Sequence, residues 1–407
     1  MKVVILNHYA SIPSFGSAET RHYEIGKRLV EKGHEVSIVV GNYSHLLQRR
    51  WTELKDNYFV ENGVEYFVVD TREYKSNGVS RFFSSYDYYK NGKKLLLKKP
   101  DIIVASSPHP FAWKLGSYYS KKYKVPYVVE IRDIWPDDLI EAGILPVKHI
   151  VVKVFDYMCK KYYSKSSGII SLVPDISEHL KRLKIIFEKP IYFIPNGIDT
   201  KIFNNVMRED IVDELFNKIP ENTIKIVYTG SLGPSNGLDY IVKEIKKLPD
   251  NLKNKFSFVF IGAGSKKDEL KKIAQSEKNV YFFDPIPKKY IPYLIKEKSD
   301  ILLFSLSDFN NTKYPAYSSF KLMDYMASGK PILSIYHPGL LLSETEDAIF
   351  YIPKKEGSFE KAIFYIFNNL DDVLKMGKKN KEYIEKYRKW DVLVEEFEDI
   401  LISMLKK

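Results

Sequence analysis

Short apolar runs of five or six residues alternate along almost the whole chain with longer stretches whose apolar positions recur every three to four residues. The first kind of run predicts buried strands and the second predicts helices laid against them, the pattern of βαβ units and parallel sheets. In the first half the strand candidates are KVVIL (2–6), EVSIVV (35–40), VEYFVV (64–69), DIIVAS (101–106), PYVVEI (126–131) and GIISLV (168–173). In the second half they are IKIVYT (224–229), FSFVFI (256–261), NVYFF (279–283), DILLFS (300–305) and PILSI (331–335). The segment 390–405 reads as an amphipathic helix with Val392, Leu393, Phe397, Ile400, Leu401 and Leu405 on its apolar stripe. No Pro- or Gly-rich linker divides the halves, and the hinge candidate is KPIYFIPNGIDTKIF (189–203). The expected architecture is α/β: two doubly wound Rossmann-like domains facing a cleft, with the ligand at their strand ends.

Composition narrows this picture. A chain of 407 residues exceeds what one core usually serves. Its net charge of +11 favours acidic partners such as nucleotide phosphates or anionic lipid. The single cysteine, Cys159, rules out a disulfide within the chain and a cysteine-built zinc site. No apolar stretch reaches the ~20 residues that span a bilayer. The opening MKVVIL meets Asn7 and His8 too soon for a signal-peptide core. The expected location is therefore cytoplasmic.

The stretch SSFKLMDYMASGKPI (318–332) carries the sharpest candidate chemistry. Ser318 or Ser319 can cap a helix whose first turn holds Lys321, and free N–H groups at that end plus the lysine suit an anion. Asp324, three residues on, lies on the same face. An ionised carboxylate only accepts hydrogen bonds, so it suits a vicinal diol such as a ribose. The plain alternative is a surface ion pair worth ~0.2–0.5 kcal/mol.

Several motifs, in order, resemble the retaining glycosyltransferases of GT-B architecture called family 4. They are PSFGSAETRHYEIGKRLVEKGHEVSIVV (13–40), VVEIRDIWPDDLIEAGIL (128–145), IPNGIDTKIF (194–203), YTGSLGPSNGLDYIV (228–242), FVFIGAG (258–264) and the stretch just quoted. The segment 128–145 resembles the branch of N-acetyl amino-sugar and L-fucosamine transferases. The resemblance implies an N-terminal acceptor domain over 1–188, rejoined by a C-terminal helix over 388–407, and a donor domain over 189–387. It places Gly16 and Ser17 in a loop lining the donor diphosphate and the acceptor. Gly230, Ser231, Asn236, Ser318, Ser319, Lys321 and Asp324 would hold the donor, and the backbone around Asp284 and Ile286 would cradle its base.

The departures from the family pattern are specific. A second loop glycine is replaced by Ser17. The usual Arg and Lys of the diphosphate loop are Ser231 and Asn236, and Lys321 is expected to compensate. A glutamate expected eight residues before Asp324 is Ala316, leaving Tyr314, Tyr317 or backbone amides to meet the sugar. Arg132 stands where many members have a histidine, and arginine cannot serve as a base. Arg132 and Asp133 are expected near the reacting centre, with His109 in the same layer and Glu130 toward the acceptor. Each has a structural alternative, an internal ion pair or a packed histidine. No metal site is expected, and the family is usually metal-independent.

The segments 81–99 and 147–163 mix aromatic residues and lysines, with Val147, Val151, Val154, Phe155 and Met158 of the second expected along one packed side. Such surfaces suit anionic headgroups, or else helices packed on their sheet with solvated lysines. The expected activity is transfer, with retention and without metal, of a sugar from a UDP-sugar to a glycan or polyprenyl-linked acceptor. That is a hexosyltransferase-type (EC 2.4) reaction in surface-polysaccharide assembly, at the inner membrane face. The donor is a substrate, so no cofactor is expected. The lysines form no ordered nucleic-acid motif. Two rivals are a non-hydrolysing UDP-sugar 2-epimerase and a non-catalytic binding protein.

Overall fold

The apolar runs assemble into two separate, mostly parallel sheets. The computed structural model describes residues 1–15, 20–45, 48–51, 56–74, 78–141, 143–204, 206–306, 319–335 and 349–406. The chain divides into one unit of Met1–Asn196 with Trp390–Lys407 and another of Gly197–Lys389.

The strands of the first unit are β1 (Lys2–Leu6), β2 (Glu35–Gly41), β3 (Tyr43–Ser44), β4 (Arg49–Arg50), β5 (Tyr58–Glu61), β6 (Val64–Val69), β7 (Ile102–Ser106), β8 (Tyr127–Ile131), β9 (Ile169–Ser171) and β10 (Ile191–Phe193). Eight of them form a sheet in the order β10-β9-β8-β7-β1-β2-β6-β5, and only β5 runs antiparallel to its neighbour. The chain leaves β1 toward β2 on one side and later returns to β7 on the other, so the order reverses at β1. Open α/β sheets bind ligands at such a switch point. Right-handed crossovers then put the helix Arg21–Glu31 on one face and the helices Val79–Gly92, Pro110–Tyr123 and Ile150–Tyr163 on the other.

The helix Trp390–Leu405 packs on Arg21–Glu31. Its buried stripe is Trp390, Leu393, Val394, Phe397, Ile400, Leu401 and Met404. Val392 and Leu405, expected on that stripe, are exposed, because the face is rotated to bring Trp390, Val394 and Met404 inward. Ion pairs fix its register: Asp391 lies 2.6 Å from Arg28, and Glu398 lies 2.7 Å from Lys32 and 2.6 Å from His34.

The second unit holds β11 (Ile224–Thr229), β12 (Phe256–Ile261), β13 (Val280–Phe283), β14 (Ile301–Phe304), β15 (Ile332–Ser334) and β16 (Ile349–Tyr351). Their order is β13-β12-β11-β14-β15-β16, all parallel, with the switch point between β11 and β14. Successive residues alternate between two core layers. Val227, Val259 and Leu302 pack on one face; Ile226, Phe258 and Leu303 pack on the other. The strands β5 and β16 escape the pattern of apolar runs because both are short, half-exposed edge strands.

Candidate functional site

At the second unit's switch point the helix Phe320–Ser328 starts beside the end of β11. Ser319 is its cap, its hydroxyl accepting from the Leu322 amide at 3.5 Å, and Gly329 ends it at φ +76°. Leu322, Met323, Tyr325 and Met326 face the core, leaving Lys321 and Asp324 half-buried at its edge. No ion pair joins those two, so the surface-pair alternative does not describe this helix.

Lys321 instead points at β11. Its ammonium donates to the Tyr228 hydroxyl at 2.6 Å and the Asn236 side-chain oxygen at 3.4 Å, 4.1 Å from the Tyr228 ring centre. The Tyr228 hydroxyl in turn donates to the Ser231 carbonyl at 2.7 Å. Burial pulls the Lys321 pKa down to about 7. Burial pushes the Asp324 carboxyl up to about 6, against the opposing pull of Lys288. Among the described residues neither group forms an ion pair, and Lys288 alone opposes the upward shift of Asp324.

The loops around this pair pack backbone on backbone. Gly230 has φ +134°, and a Cβ there would lie 2.8 Å from the Lys321 ammonium. Gly262, at φ +156°, would place a Cβ 1.8 Å from the Gly230 carbonyl oxygen. Asn236 is buried, and its carbonyl accepts from the Ser305 hydroxyl at the end of β14 at 2.7 Å. Tyr325 closes the floor, its hydroxyl accepting from the Thr229 amide at 2.8 Å. Ser231 and Asp284 are exposed and Ile286 is half-buried. Asp284 pairs with Lys267 at 2.6 Å, and Lys267 also donates to the carbonyls of Gly262 and Phe283. Gly16, Ser17, Tyr314, Ala316, Tyr317 and Ser318 lie outside the described residues.

At the first unit's switch point Glu130, at the end of β8, is fully buried. One carboxylate oxygen accepts from the Arg21 guanidinium at 2.8 and 3.0 Å, the other from His22 at 2.7 Å and the Ser106 hydroxyl at 2.6 Å. The Asn7 amide lies 2.9 Å from the second His22 nitrogen, which sets the tautomer with the proton on Nε2. Burial alone would raise the Glu130 carboxyl. Arg21, His22 and Ser106 outweigh it and hold that group well below the usual carboxylate range. Arg21 also donates to the carbonyls of Ile194 and Pro195, where the chain leaves the unit.

Glu130, expected toward the acceptor, thus has both carboxylate oxygens engaged by Arg21, His22 and Ser106 inside the unit. His109 is enclosed in a similar way. It immediately precedes the helix Pro110–Tyr123, is buried, and lies 2.9 Å from His8. Burial, with Arg81 nearby, takes its pKa to about 3. Arg132 is half-buried and Asp133 exposed beyond β8; both their amides donate to the Ser107 hydroxyl, at 2.7 and 3.3 Å.

Tyr228, Tyr325 and Lys288 are neighbours of the candidate pair that motif reading misses. Both tyrosines sit within apolar runs, where an aromatic ring reads as core. Among the described residues, no group of three His, Cys, Asp or Glu is arranged to hold a metal ion, and no helix is long and apolar enough to cross a membrane.

Residues 18–202 match the family described as Glycosyltransferase Family 4, and residues 212–390 match Glycosyl transferases group 1. The first stretch is thus similar to a family 4 glycosyltransferase domain and the second to a group 1 glycosyl transferase domain. A probable glycosyltransferase, WbjE of Pseudomonas aeruginosa, is 26% identical over 60% of each chain. A candidate colanic acid biosynthesis glycosyl transferase, WcaI of Escherichia coli K12, is 31% identical over 49% of each. The match to these curated relatives thus spans about half to 60% of their length. Among solved structures, HepE of Anabaena in complex with UDP-glucose superposes with a TM-score of 0.68 at 13% identity, over 99% of this chain and 100% of that one. At that identity the likeness speaks for the fold. The two Rossmann-like α/β units are those of the GT-B fold. The N-acetyl amino-sugar branch has no such support.

Proposed function

We propose that this protein transfers a sugar from a nucleotide-sugar donor to a glycan or lipid-linked acceptor in polysaccharide assembly. The observation that carries the reading is the pair Lys321 and Asp324 at the β11/β14 switch point. A buried ammonium against Tyr228, at a capped helix start, suits a diphosphate. A half-buried carboxylate one turn on suits the ribose hydroxyls of the same ligand. Lys321 takes the place of the missing Arg and Lys of the diphosphate loop. Diphosphate binding raises its pKa, restoring the full positive charge as the leaving group develops its own.

The donor is UDP-linked and the sugar an N-acetyl amino sugar; the complexes of HepE favour the first and the resemblance over 128–145 the second. Transfer proceeds with retention and without metal, the departing diphosphate taking the acceptor proton. Gly16 and Ser17 line the diphosphate. Arg132 and Asp133 act at the acceptor side as charge-positioning groups, with Glu130 and His109 behind them.

The test is thermal stability in the presence of UDP, GDP, ADP and their sugar conjugates, with and without divalent metal, followed by transfer assays. A ligand at 100 times its Kd adds ~2.7 kcal/mol. Stabilisation by one nucleotide series, and sugar release only when an acceptor is added, supports the reading. Donor conversion without acceptor points to the epimerase. No stabilisation by any nucleotide removes the donor site and leaves the binding-protein rival.

A further inference from the structure

The helix Ile150–Tyr163 carries two apolar stripes, and only one of them packs. Val152, Phe155, Met158, Cys159 and Tyr162 are buried on the unit's own core. Val147 before the helix, then Ile150, Val154 and Tyr157, recur at intervals of three and four residues on the opposite side. They are 64%, 66%, 38% and 60% exposed. The expected single packed side, with Val147 and Val154 alongside Phe155 and Met158, is thus divided between core and surface.

Lysines flank the outward stripe. Lys148, Lys153 and Lys160 are exposed, and Lys161 lies beside Tyr157, its ammonium 3.2 Å from the phenol oxygen. Next to this helix packs Pro110–Tyr123, and next to that Val79–Gly92. Their outer surface continues the chemistry. Lys114 and Lys93 sit 4.3 and 4.8 Å from the Tyr89 ring centre, and Phe83 and Tyr86 are exposed on the same helix as Tyr89. Burial lowers the Lys114 pKa, and Lys93 and Lys161 lower it further. The two carboxylates on these helices are already taken, Asp87 by Arg72 and Asp156 by Arg182. Among the described residues, no ion pair joins Lys148, Lys153, Lys160 or Lys161 to a carboxylate.

We infer that this face docks on a bilayer bearing anionic headgroups, with the helix Ile150–Tyr163 lying in the interface. Only such a surface offers both complements at once: negative charge at the level of Lys148, Lys153, Lys160 and Lys161, and an apolar layer beneath for Ile150, Val154 and Tyr157. The inference goes beyond the transfer reading and does not depend on it.

The experiment is co-sedimentation of the full chain with phosphatidylcholine vesicles, with and without phosphatidylglycerol. Two variants accompany it, Lys153→Gln/Lys160→Gln and Ile150→Ser/Val154→Ser; both change exposed side chains, and unchanged thermal melts confirm that they fold. The wild type binds the anionic vesicles at low salt and not the neutral ones. Inorganic phosphate competes no better than chloride of equal ionic strength. Removing two lysines lowers partitioning roughly thirtyfold, and the serine variant loses binding as well. Protein left in the supernatant with anionic vesicles overturns the inference and leaves an acidic protein as the complement. Equal binding of the serine variant overturns interfacial insertion. Competition by free phosphate beyond its ionic strength shows an ordinary anion site instead, and overturns the inference too.

Discussion

The Lys321 ammonium lies 2.6 Å from the Tyr228 hydroxyl and has no carboxylate partner among the described residues. A half-buried cation so placed is destabilising on its own and is poised for an anion. Replacing Lys321 with Met should raise the free protein's melting temperature while weakening donor binding at least tenfold, since a charge-assisted contact is worth about 1.5–3 kcal/mol. Melting curves and calorimetric titration with the donor check both halves. A variant that loses stability and keeps affinity contradicts the assignment.

Donor affinity should be bell-shaped in pH. Below about 6 Asp324 takes up a proton and no longer accepts freely from hydroxyl groups. Above about 7 Lys321 loses its charge and must regain it on binding. Asp324→Asn should flatten the acid limb and Lys321→Met the alkaline one. Titrations in buffers of different ionisation heat should show proton uptake at pH 8.

Asp324 also sets a stability profile. Its folded pKa, about 6, lies above its ordinary 3.8, so the folded protein binds more protons between those values. Stability therefore falls as pH rises from about 4 to about 6, by roughly 1–3 kcal/mol. Asp324→Asn should abolish that slope, and denaturant titrations across this range measure it.

Glu130→Gln should destabilise the protein by about 3–5 kcal/mol, because it leaves the Arg21 guanidinium buried without its counter-charge. Adding Arg21→Met should recover much of the loss. Were Glu130 an acceptor ligand instead, the single change would spare stability and the double would recover nothing. Urea unfolding of the three variants decides.

Gly262→Ala should weaken donor binding with a loss of about 1–3 kcal/mol of stability. The added Cβ meets the Gly230 carbonyl, which cannot move without shifting the loop against Lys321.

How much of this was legible in the residues depends on what each signal records. The central strands were, since β6, β11 and β12 coincide with their apolar runs residue for residue. Helix phase was less so. Val392 and Val154 fit an apolar stripe in sequence, yet face outward, because which of two apolar faces packs is decided by the neighbouring element. At the site, the spacing of Lys321 and Asp324 places them on one face but says nothing of Tyr228, which comes from a strand 93 residues away. Glu130 was visible as a strand-end carboxylate. Its enclosure was not, because Arg21 and His22 reach it from one distant helix and Ser106 from another strand.

The helix Trp390–Leu405 also bears on how the protein is made. It supplies Leu393, Phe397 and Leu401 to a unit whose other residues end at Asn196, with Gly197–Lys389 synthesised in between. At a translation rate of about 5–20 residues per second, those intervening residues delay its arrival by roughly 10–40 seconds. Through that interval the nascent first unit holds the helix Arg21–Glu31 with its outer face uncovered. That face stays open to solvent until the ribosome delivers the helix that belongs there.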